Sequence, residues 1–266
     1  MAQFGDALAK FYEEHMVPMV FRPYAQEMTS RAIAASPESV LEIAAGTGVV
    51  TALLSAQLAP EAALVATDIS QSMMNVARKH SAPRVHWQAA DAHSLPFKDE
   101  SFDVIVCQFG VMFFSEKAKA YAEINRVLRR GGRFIFSVWA GTKDNDLVAT
   151  VNNAVGELFP EWPLEFLESI PHGYHDYAAI RSDLKGGGFT GEPRFDAVAS
   201  TSEAPSASHA AAAYCKGTPL RNEIEARGAG QMEAALRKAE QAVREKFGVS
   251  TVQSRMLAHF VEVDKA

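Results

Sequence analysis

The sequence predicts an α/β fold built around a mostly parallel sheet. Short apolar runs rich in β-branched residues alternate with amphipathic helical segments over residues 40–139, as in repeated strand–helix units. The clearest unit is Val40–Thr51, in which a strand meets a turn containing Gly46 and Gly48 and a helix begins at Val49. Such a junction presents backbone N–H groups to a ligand at the carboxyl end of a strand.

Further strands and helices follow this unit in order. Ala63–Asp68 is a second buried strand that ends in an acid, and Ser70 is placed to cap the helix after it. Phe102–Gly110 is another apolar strand. The helix that contains Glu123 is expected to close at Gly131-Gly132 and to lead directly into the strand Phe134–Trp139.

Beyond Trp139 the pattern changes from strand–helix units to helical segments. Residues 144–170 predict an irregular helical insertion that is broken by prolines. Tyr177–Leu184 is a helix before a further strand at residues 193–199, and Val252–Val263 is the last strand. Residues 201–250 are predicted to be helical, although their first eight residues have the most loop-like composition in the chain.

These segments divide the chain into a sheet-forming core and three helical additions. The predicted divisions are N-terminal helices at 1–35, a core at 36–140, an insertion at 141–175, the remainder of the core at 176–200 and 251–266, and a second insertion at 201–250.

The glycine spacing after the first strand discriminates among ligands. A dinucleotide fingerprint, G-x-G-x-x-G, would need glycine at Ala44, Gly46 and Val49, and only the middle position has it. The Gly-Lys-Ser/Thr of a phosphate-binding P-loop is also absent. The segment instead matches E-x-G-x-G-x-G with alanine at the first glycine, through Glu42, Ala44, Gly46 and Gly48.

Two later segments fit the same pattern. Asp68 ends the next strand, where an acid can accept hydrogen bonds from both ribose hydroxyls of an adenosine ligand. The segment Ala89–Phe97 resembles the element G-D-A-x-x-L-P-F, with Asp91 as its acid. In order and spacing these elements resemble the class I S-adenosylmethionine (SAM) dependent methyltransferases. The likeness covers residues 36–140 and is strongest to the type 11, ubiquinone/menaquinone-methyltransferase-like branch.

The resemblance implies a Rossmann-like seven-stranded sheet, mostly parallel with an antiparallel last strand, with helices on both faces and helical cap insertions. It implies SAM as cofactor and S-adenosylhomocysteine (SAH) as product, with Asp68 on the ribose and Asp91 on the adenine amino group. The cofactor-binding residues it implies are Tyr12, Glu42, Ala44, Gly46, Gly48, Asp68, Ile69, Met73, Asp91, Ala92, Gln108 and Phe109.

The composition of the chain limits the kinds of partner that we expect it to bind. The 266-residue chain has a formal net charge of −6, which offers no general attraction to nucleic acid. Two cysteines fit a reducing cytosol, and no apolar run approaches membrane-spanning length. We therefore expect a cytoplasmic monomer or homodimer that acts on a small molecule without stable membrane insertion. No residue spacing indicates a metal site.

Candidate catalytic residues lie outside the resemblance. His172 and His175 form a polar cluster in the predicted cap, and Tyr24 lies in an aromatic N-terminal stretch. Each has a second interpretation, since the histidines also suit a polar surface loop. Tyr12 and Tyr24 also suit simple helix packing, because Tyr12, Met16, Met19 and Val20 recur at helical spacing.

The predicted reaction is methyl transfer to a small or medium-sized, largely apolar acceptor. Oxygen is the first expected acceptor atom, on the frequency of such reactions in the family. Carbon of a quinone-type precursor comes next, followed by nitrogen of an amine or phospholipid head group. The alternatives from other classes are a SAM-binding regulatory scaffold, a nicotinamide-dependent oxidoreductase and a nucleic-acid methyltransferase. The last is disfavoured because Cys107–Gly110 lacks an Asn/Asp-Pro-Pro-aromatic set.

Overall fold

The computed structural model of the protein describes residues 5–266. The strands are β1 Ser39–Ile43, β2 Ala63–Asp68, β3 Val85–Ala89, β4 Phe102–Gln108, β5 Leu128–Trp139, β6 Arg194–Ala204 and β7 Val252–Asp264. The helices are α1 Asp6–Phe11, α2 Arg22–Ile33, α3 Val49–Gln57, α4 Gln71–Ala77, α5 Lys117–Val127, α6 Asp146–Gly156, α7 Phe166–Ser169, α8 Tyr177–Gly186, α9 Ala207–Gly217, α10 Leu220–Ala226 and α11 Gln231–Phe247.

The seven strands form one sheet in the order β3-β2-β1-β4-β5-β7-β6. Strands β1 to β5 pair in parallel, and β7 pairs antiparallel with β5 from Arg133 opposite Asp264 to Trp139 opposite Ala258. The predicted fold class is confirmed. Because the chain passes from β1 to β2 and β3 on one side and then to β4 and β5 on the other, the strand order reverses between β1 and β4. In open α/β sheets, ligands bind outside the carboxyl ends of the strands at such a point.

The residues group into two compact units. The core unit comprises residues 24–139, 174–198 and 258–266, and the helical unit comprises residues 5–23, 140–173 and 199–257. Every residue of β1 is buried, as expected of a central strand covered on both faces. In the helical unit α11 packs on α6 and α9, and its buried residues Ala235, Ala239 and Val243 recur every four positions.

The N-terminal segment differs from the regular α-helix that its spacing predicts. Tyr12–Phe21 is a π-helix, at whose end the Arg22 N–H donates to the Val17 carbonyl, five residues back. Pro18 lies inside it. A proline ring clashes with the carbonyl four residues earlier in an α-helix, and the wider π-helical turn relieves that clash.

Two predicted boundaries are wrong. Gly131-Gly132 does not close a helix, because α5 ends at Val127 and both glycines lie in β5. There they exchange backbone hydrogen bonds with Lys265. Strand β6 extends to Ala204, so residues 201–204 are neither loop nor helix. The predicted helices of that segment begin only at Ala207, where Ser206 caps α9.

Candidate functional site

The loop between β1 and α3 has a backbone shape that few residues tolerate. Ala44, Gly46 and Gly48 have φ values of +55°, +57° and +88°, in the left-handed region that glycine adopts most readily. A Cβ on Gly48 would lie 3.0 Å from the Cβ of Ala77, whereas a Cβ on Gly46 would meet nothing within 4 Å. The loop is therefore packed against α4 at Gly48 and has open space beside Gly46.

Asp68, at the carboxyl end of β2, holds this loop in place. Its Oδ2 accepts a hydrogen bond of 2.8 Å from the Gly46 N–H, and its Oδ1 accepts one of 2.7 Å from the Ser70 N–H. Burial raises the pKa of the Asp68 carboxyl, an effect that the backbone donors Ser70 and Gly46 oppose. The side chain thus joins the β1 loop to the start of α4.

Glu42 lies beneath the same loop. It is 2% exposed, and its Oε2 accepts a 2.6 Å hydrogen bond from the Thr51 hydroxyl in α3. Burial raises the pKa of the Glu42 carboxyl to about 8, with the nearby Asp68 charge adding to the rise. Through the hydrogen bond from Thr51 the buried Glu42 side chain ties β1 to α3.

Asp91 presents a more open carboxylate after β3. Its side chain is 45% exposed. Its Oδ1 accepts bonds of 2.9 Å from the His93 N–H and 2.6 Å from His93 Nδ1. These hydrogen bonds lower the pKa of the Asp91 carboxyl, with the backbone N–H the largest cause. Oδ2 receives no hydrogen bond from any residue between 5 and 266 and is available to a ligand.

Three predicted cofactor residues flank these acids. Ile69, directly after Asp68, is 53% exposed, which is unusual for a large aliphatic side chain. Met73 and Ala92 are buried, and the Met73 N–H donates to the capping hydroxyl of Ser70. Ile69 is thus the member of the three that offers a ligand an apolar face.

The end of β4 meets the loop after β1. A Cβ on Gly110 would lie 2.6 Å from the Cβ of Ala44, so the two loops are in close contact. Gln108 is half-buried. Phe109 has a φ of +51°, and its ring stacks on Trp139 with centroids 3.8 Å apart and planes at 5°.

Tyr24 is fully enclosed in the core unit. Its exposure is 0%, and its ring meets those of Phe109 and Trp139 edge-on at 5.4 Å. The hydroxyl donates to the Val198 carbonyl at 3.3 Å, and burial raises its pKa well above the ordinary value. This environment favours the packing interpretation of Tyr24, and its catalytic role stays a prediction.

The other catalytic candidates are placed in different surroundings. His175, in the core unit, is exposed. His172, in the helical unit, is 6% exposed and has Nδ1 2.7 Å from the Ala140 carbonyl oxygen. Tyr12, also in the helical unit, is half-buried with its ring 5.2 Å from that of Phe21.

Sequence reasoning gave no site role to Trp139 or Lys117, whereas Phe113 belongs to an apolar run that it interpreted either as lining of an acceptor pocket or as strand-to-helix packing. Trp139 stacks on Phe109, and Phe113 is 49% exposed in the short 3₁₀ helix after β4. Lys117 directs its ammonium to the carbonyls of Met112 and Phe114 at 3.4 and 3.0 Å. The run of apolar residues around Phe113 was visible in the sequence, but the contacts of Lys117 depend on how α5 begins.

The residues at this edge fit an adenosine-containing ligand. They provide open space beside Gly46, an available oxygen on Asp91, and a buried Thr47 hydroxyl that has no hydrogen-bond partner within residues 5–266. Over the same residues no three His, Cys, Asp or Glu side chains are grouped to hold a metal ion. Nor does the described part of the chain contain a helix with the length and apolar character needed to cross a membrane.

Comparison with known proteins identifies the domain that contains this edge. Residues 41–136 match the family model of a methyltransferase domain. The chain is 42% identical over 110 residues to a demethylmenaquinone methyltransferase of Clavibacter sepedonicus, covering 40% of this chain and 44% of that protein. It is 41% identical over 101 residues to a ubiquinone/menaquinone biosynthesis C-methyltransferase of Idiomarina loihiensis, covering 36% and 40% of the two chains.

A solved structure supports the fold. Phosphoethanolamine N-methyltransferase 2 of Haemonchus contortus, in complex with SAM, is similar with a TM-score of 0.60 at 17% sequence identity. The likeness covers 100% of this chain and 58% of that one. At this identity it shows a shared fold and not a shared activity.

Residues 41–136 therefore form a class I SAM-dependent methyltransferase domain. This domain belongs to the ubiquinone/menaquinone-methyltransferase-like branch, which confirms the family predicted from the sequence. The matched segment spans less than half the length of these curated relatives. The relatives thus describe the domain, and the activity of the whole protein is a separate question.

Proposed function

We propose that this protein transfers a methyl group from SAM to a small or medium-sized, largely apolar acceptor. The observation that carries the proposal is the arrangement at the carboxyl ends of β1 to β3. A loop with open space beside Gly46, the buried carboxyl of Asp68 and the open carboxylate of Asp91 follow three neighbouring strands.

Each group has a role that its surroundings support. Asp68 is fixed by two backbone donors, and in this proposal it accepts hydrogen bonds from the ribose hydroxyls. Asp91 has one oxygen engaged by His93 and the other available for the adenine amino group, and the exposed Ile69 can cover the adenine ring. Glu42 supports the loop from below, since its carboxyl is engaged by Thr51.

The methyl group of SAM is electrophilic because it is bonded to a sulfonium. The protein's main task is therefore to hold the acceptor atom in line with that methyl group and to exclude water. A base is required only when the acceptor atom is protonated at the working pH. Tyr24 is one candidate for such a base, and it is fully buried. Its burial favours acceptors that ionise readily and need no base from the protein, such as carboxylates, phenols and enolates.

We expect oxygen as the acceptor atom and a small organic molecule as the acceptor. The exposed ring of Phe113 and the exposed Ile69 support a largely apolar acceptor. The net charge of −6 supports a small molecule over nucleic acid. A cytoplasmic location and a monomeric or homodimeric state remain predictions from the sequence.

Methylation of carbon in a quinone-type precursor is the second candidate. It is favoured by the names of the two relatives, a demethylmenaquinone methyltransferase and a quinone biosynthesis C-methyltransferase. Incubation with SAM carrying a ¹³C-methyl group and a panel of phenols, carboxylates, amines and quinols would separate the candidates. The carbon chemical shift of the transferred methyl distinguishes an ether or ester from a C-methyl product.

Calorimetric titration with SAM and with SAH tests the cofactor. We expect micromolar binding of both ligands by the wild type and a loss of about 100-fold or more in Asp68→Ala, because two hydrogen bonds to a carboxylate would be removed. Asp68→Asn should retain part of the loop contacts and lose less affinity.

Asp103 supplies a matched control. Its Oδ2 accepts hydrogen bonds from the backbone N–H groups of Glu38 and Ser39, but it lies at the start of β4, at the opposite edge of the sheet. Asp103→Ala should lower the melting temperature and leave SAH affinity unchanged. Equal loss of affinity in both variants would remove the ribose role of Asp68. Binding of SAM without transfer to any acceptor would favour a regulatory scaffold.

A further inference from the structure

His93 occupies a bridging position in the core unit that the cofactor pattern does not explain. The ring is mostly buried, with 15% of the side chain exposed. It contacts Asp91 through one nitrogen and the chain leading into α5 through the other. These two neighbours have different roles in the proposed function, on which this inference rests.

The first contact orients the carboxylate assigned to adenine. His93 Nδ1 lies 2.6 Å from Asp91 Oδ1, and the His93 backbone N–H donates to the same oxygen. Both donors act on Oδ1 and restrain the orientation of the carboxylate, which leaves Oδ2 as the oxygen that can accept a hydrogen bond from a ligand. The short distance fits a proton on Nδ1, since an ionised carboxylate is only an acceptor.

The second contact reaches the segment after β4. His93 Nε2 lies 3.3 Å from the Glu116 backbone N–H and 3.5 Å from the Ser115 hydroxyl. The Glu116 N–H can only donate, so Nε2 is the acceptor, which again places the ring proton on Nδ1. The His93 ring also meets the Phe114 ring edge-on, with centroids 5.9 Å apart.

The segment that His93 contacts is held as one piece. Residues 111–113 form a 3₁₀ helix, and the Lys117 ammonium bonds the carbonyls of Met112 and Phe114. That ammonium also lies 4.6 Å from the centre of the Tyr174 ring. Movement of Glu116 relative to His93 would therefore shift the whole segment, including the exposed ring of Phe113.

We propose that His93 is a positioning residue that links the adenine-binding carboxylate of Asp91 to the acceptor-side segment 109–116. A ligand on Asp91 fixes the His93 ring, and the fixed ring orders the Glu116 end of the segment. The cofactor's adenine end and the acceptor's surroundings are thereby coupled through one imidazole.

Two substitutions separate the two contacts. His93→Asn keeps a donor near the position of Nδ1 and removes the acceptor for Glu116. His93→Gln places an amide oxygen near the position of Nε2 and removes the short bond to Asp91. His86→Asn, at an exposed position of β3, is the matched control for loss of a histidine.

Hydrogen–deuterium exchange of peptides covering residues 109–120 measures the link, first in ligand-free protein. We expect His93→Asn to speed exchange at Glu116 about fivefold, the effect of losing one hydrogen bond. His93→Gln and His86→Asn should match the wild type. Unchanged exchange in His93→Asn would overturn the contact to the segment, whatever the cofactor.

Saturating SAH is then added. The wild type should show slower exchange in residues 109–120, and His93→Asn should bind SAH within about twofold of the wild type yet lose this protection. His93→Gln should bind SAH roughly tenfold more weakly, because Asp91 loses its orienting donor. Equal protection in the wild type and His93→Asn would overturn the coupling while leaving the cofactor assignment intact. Failure of the wild type to bind SAH would overturn both.

Discussion

The carboxyl edge of β1 to β4 and the helical unit are built by different means. At the edge, Ala44, Gly46, Gly48 and Phe109 all have positive φ, and acids lie where strands end. The helical unit is held by apolar faces such as that of α11, with alanine and valine at every fourth position. Backbone shapes of the first kind require particular residues, whereas many apolar residues can make a helix face.

This difference explains why the family signature is confined to residues 41–136. A ligand-binding turn accepts few residues at each position, so its sequence pattern is specific enough to be recognised. The sequence of a packed helix shows only the periodic recurrence of apolar residues. That periodicity indicates which face is buried and does not indicate a ligand. The comparison can be tested by substitutions in each region.

The largest effect is expected from Glu42→Gln. Burial raises the pKa of Glu42 from 4.5 to about 8 in the folded protein. Because the folded state retains a proton that the unfolded chain loses near pH 4.5, this group lowers stability progressively as pH rises from about 4.5 to 8. Glutamine cannot ionise, so the variant should gain on the order of a few kcal/mol relative to wild type between pH 5 and 9.

Urea unfolding of both proteins at pH 5, 7 and 9 measures this difference. Asp103→Asn is a useful control, because Arg129 and the Ser39 donors lower the pKa of the Asp103 carboxyl. The ionised Asp103 therefore stabilises the folded protein, and this stabilisation is lost as pH falls. Parallel pH profiles for wild type and Glu42→Gln would show that Glu42 does not carry a buried proton.

A medium effect is expected from His172→Ala in the helical unit. The side chain is buried and bonds the Ala140 carbonyl, so its removal should cost about 1–3 kcal/mol of unfolding free energy. SAH affinity should stay within twofold, and turnover with an acceptor found in the screen should be retained. Lost turnover at unchanged stability would support the predicted catalytic role of His172 and weaken the contrast between the regions.

The smallest effect is expected from Ala44→Gly. An L-residue at a φ of +55° costs roughly 1 kcal/mol, which offsets the extra freedom of glycine in the unfolded chain. Stability should therefore stay level or rise by up to about 1 kcal/mol in thermal unfolding. The neighbouring Ala45, which has no positive φ, should lose about 0.5–1 kcal/mol on substitution by glycine. Equal losses would mean that backbone shape does not govern this loop.

The sequence predicted the fold class, most of the sheet strands and the cofactor class, because strand periodicity, glycine spacing and acids at strand ends are all local. It misplaced elements where tertiary pairing decides. Gly131-Gly132 pairs with Lys265 within the sheet instead of ending α5, and residues 201–204 continue β6. Those hydrogen bonds come from a partner strand far along the chain, and the local sequence does not indicate which strand that is.

By itself the sequence determined the fold class and the resemblance of residues 36–140 to the SAM-dependent methyltransferases. Only the tertiary structure decided that Glu42 is a buried support, that Tyr24 lies within an aromatic cluster with Phe109 and Trp139, and that His93 reaches both Asp91 and Glu116. Burial and hydrogen-bond partners depend on residues that meet across loops and strands. The same type of side chain can therefore bind a cofactor, support a loop or link two segments.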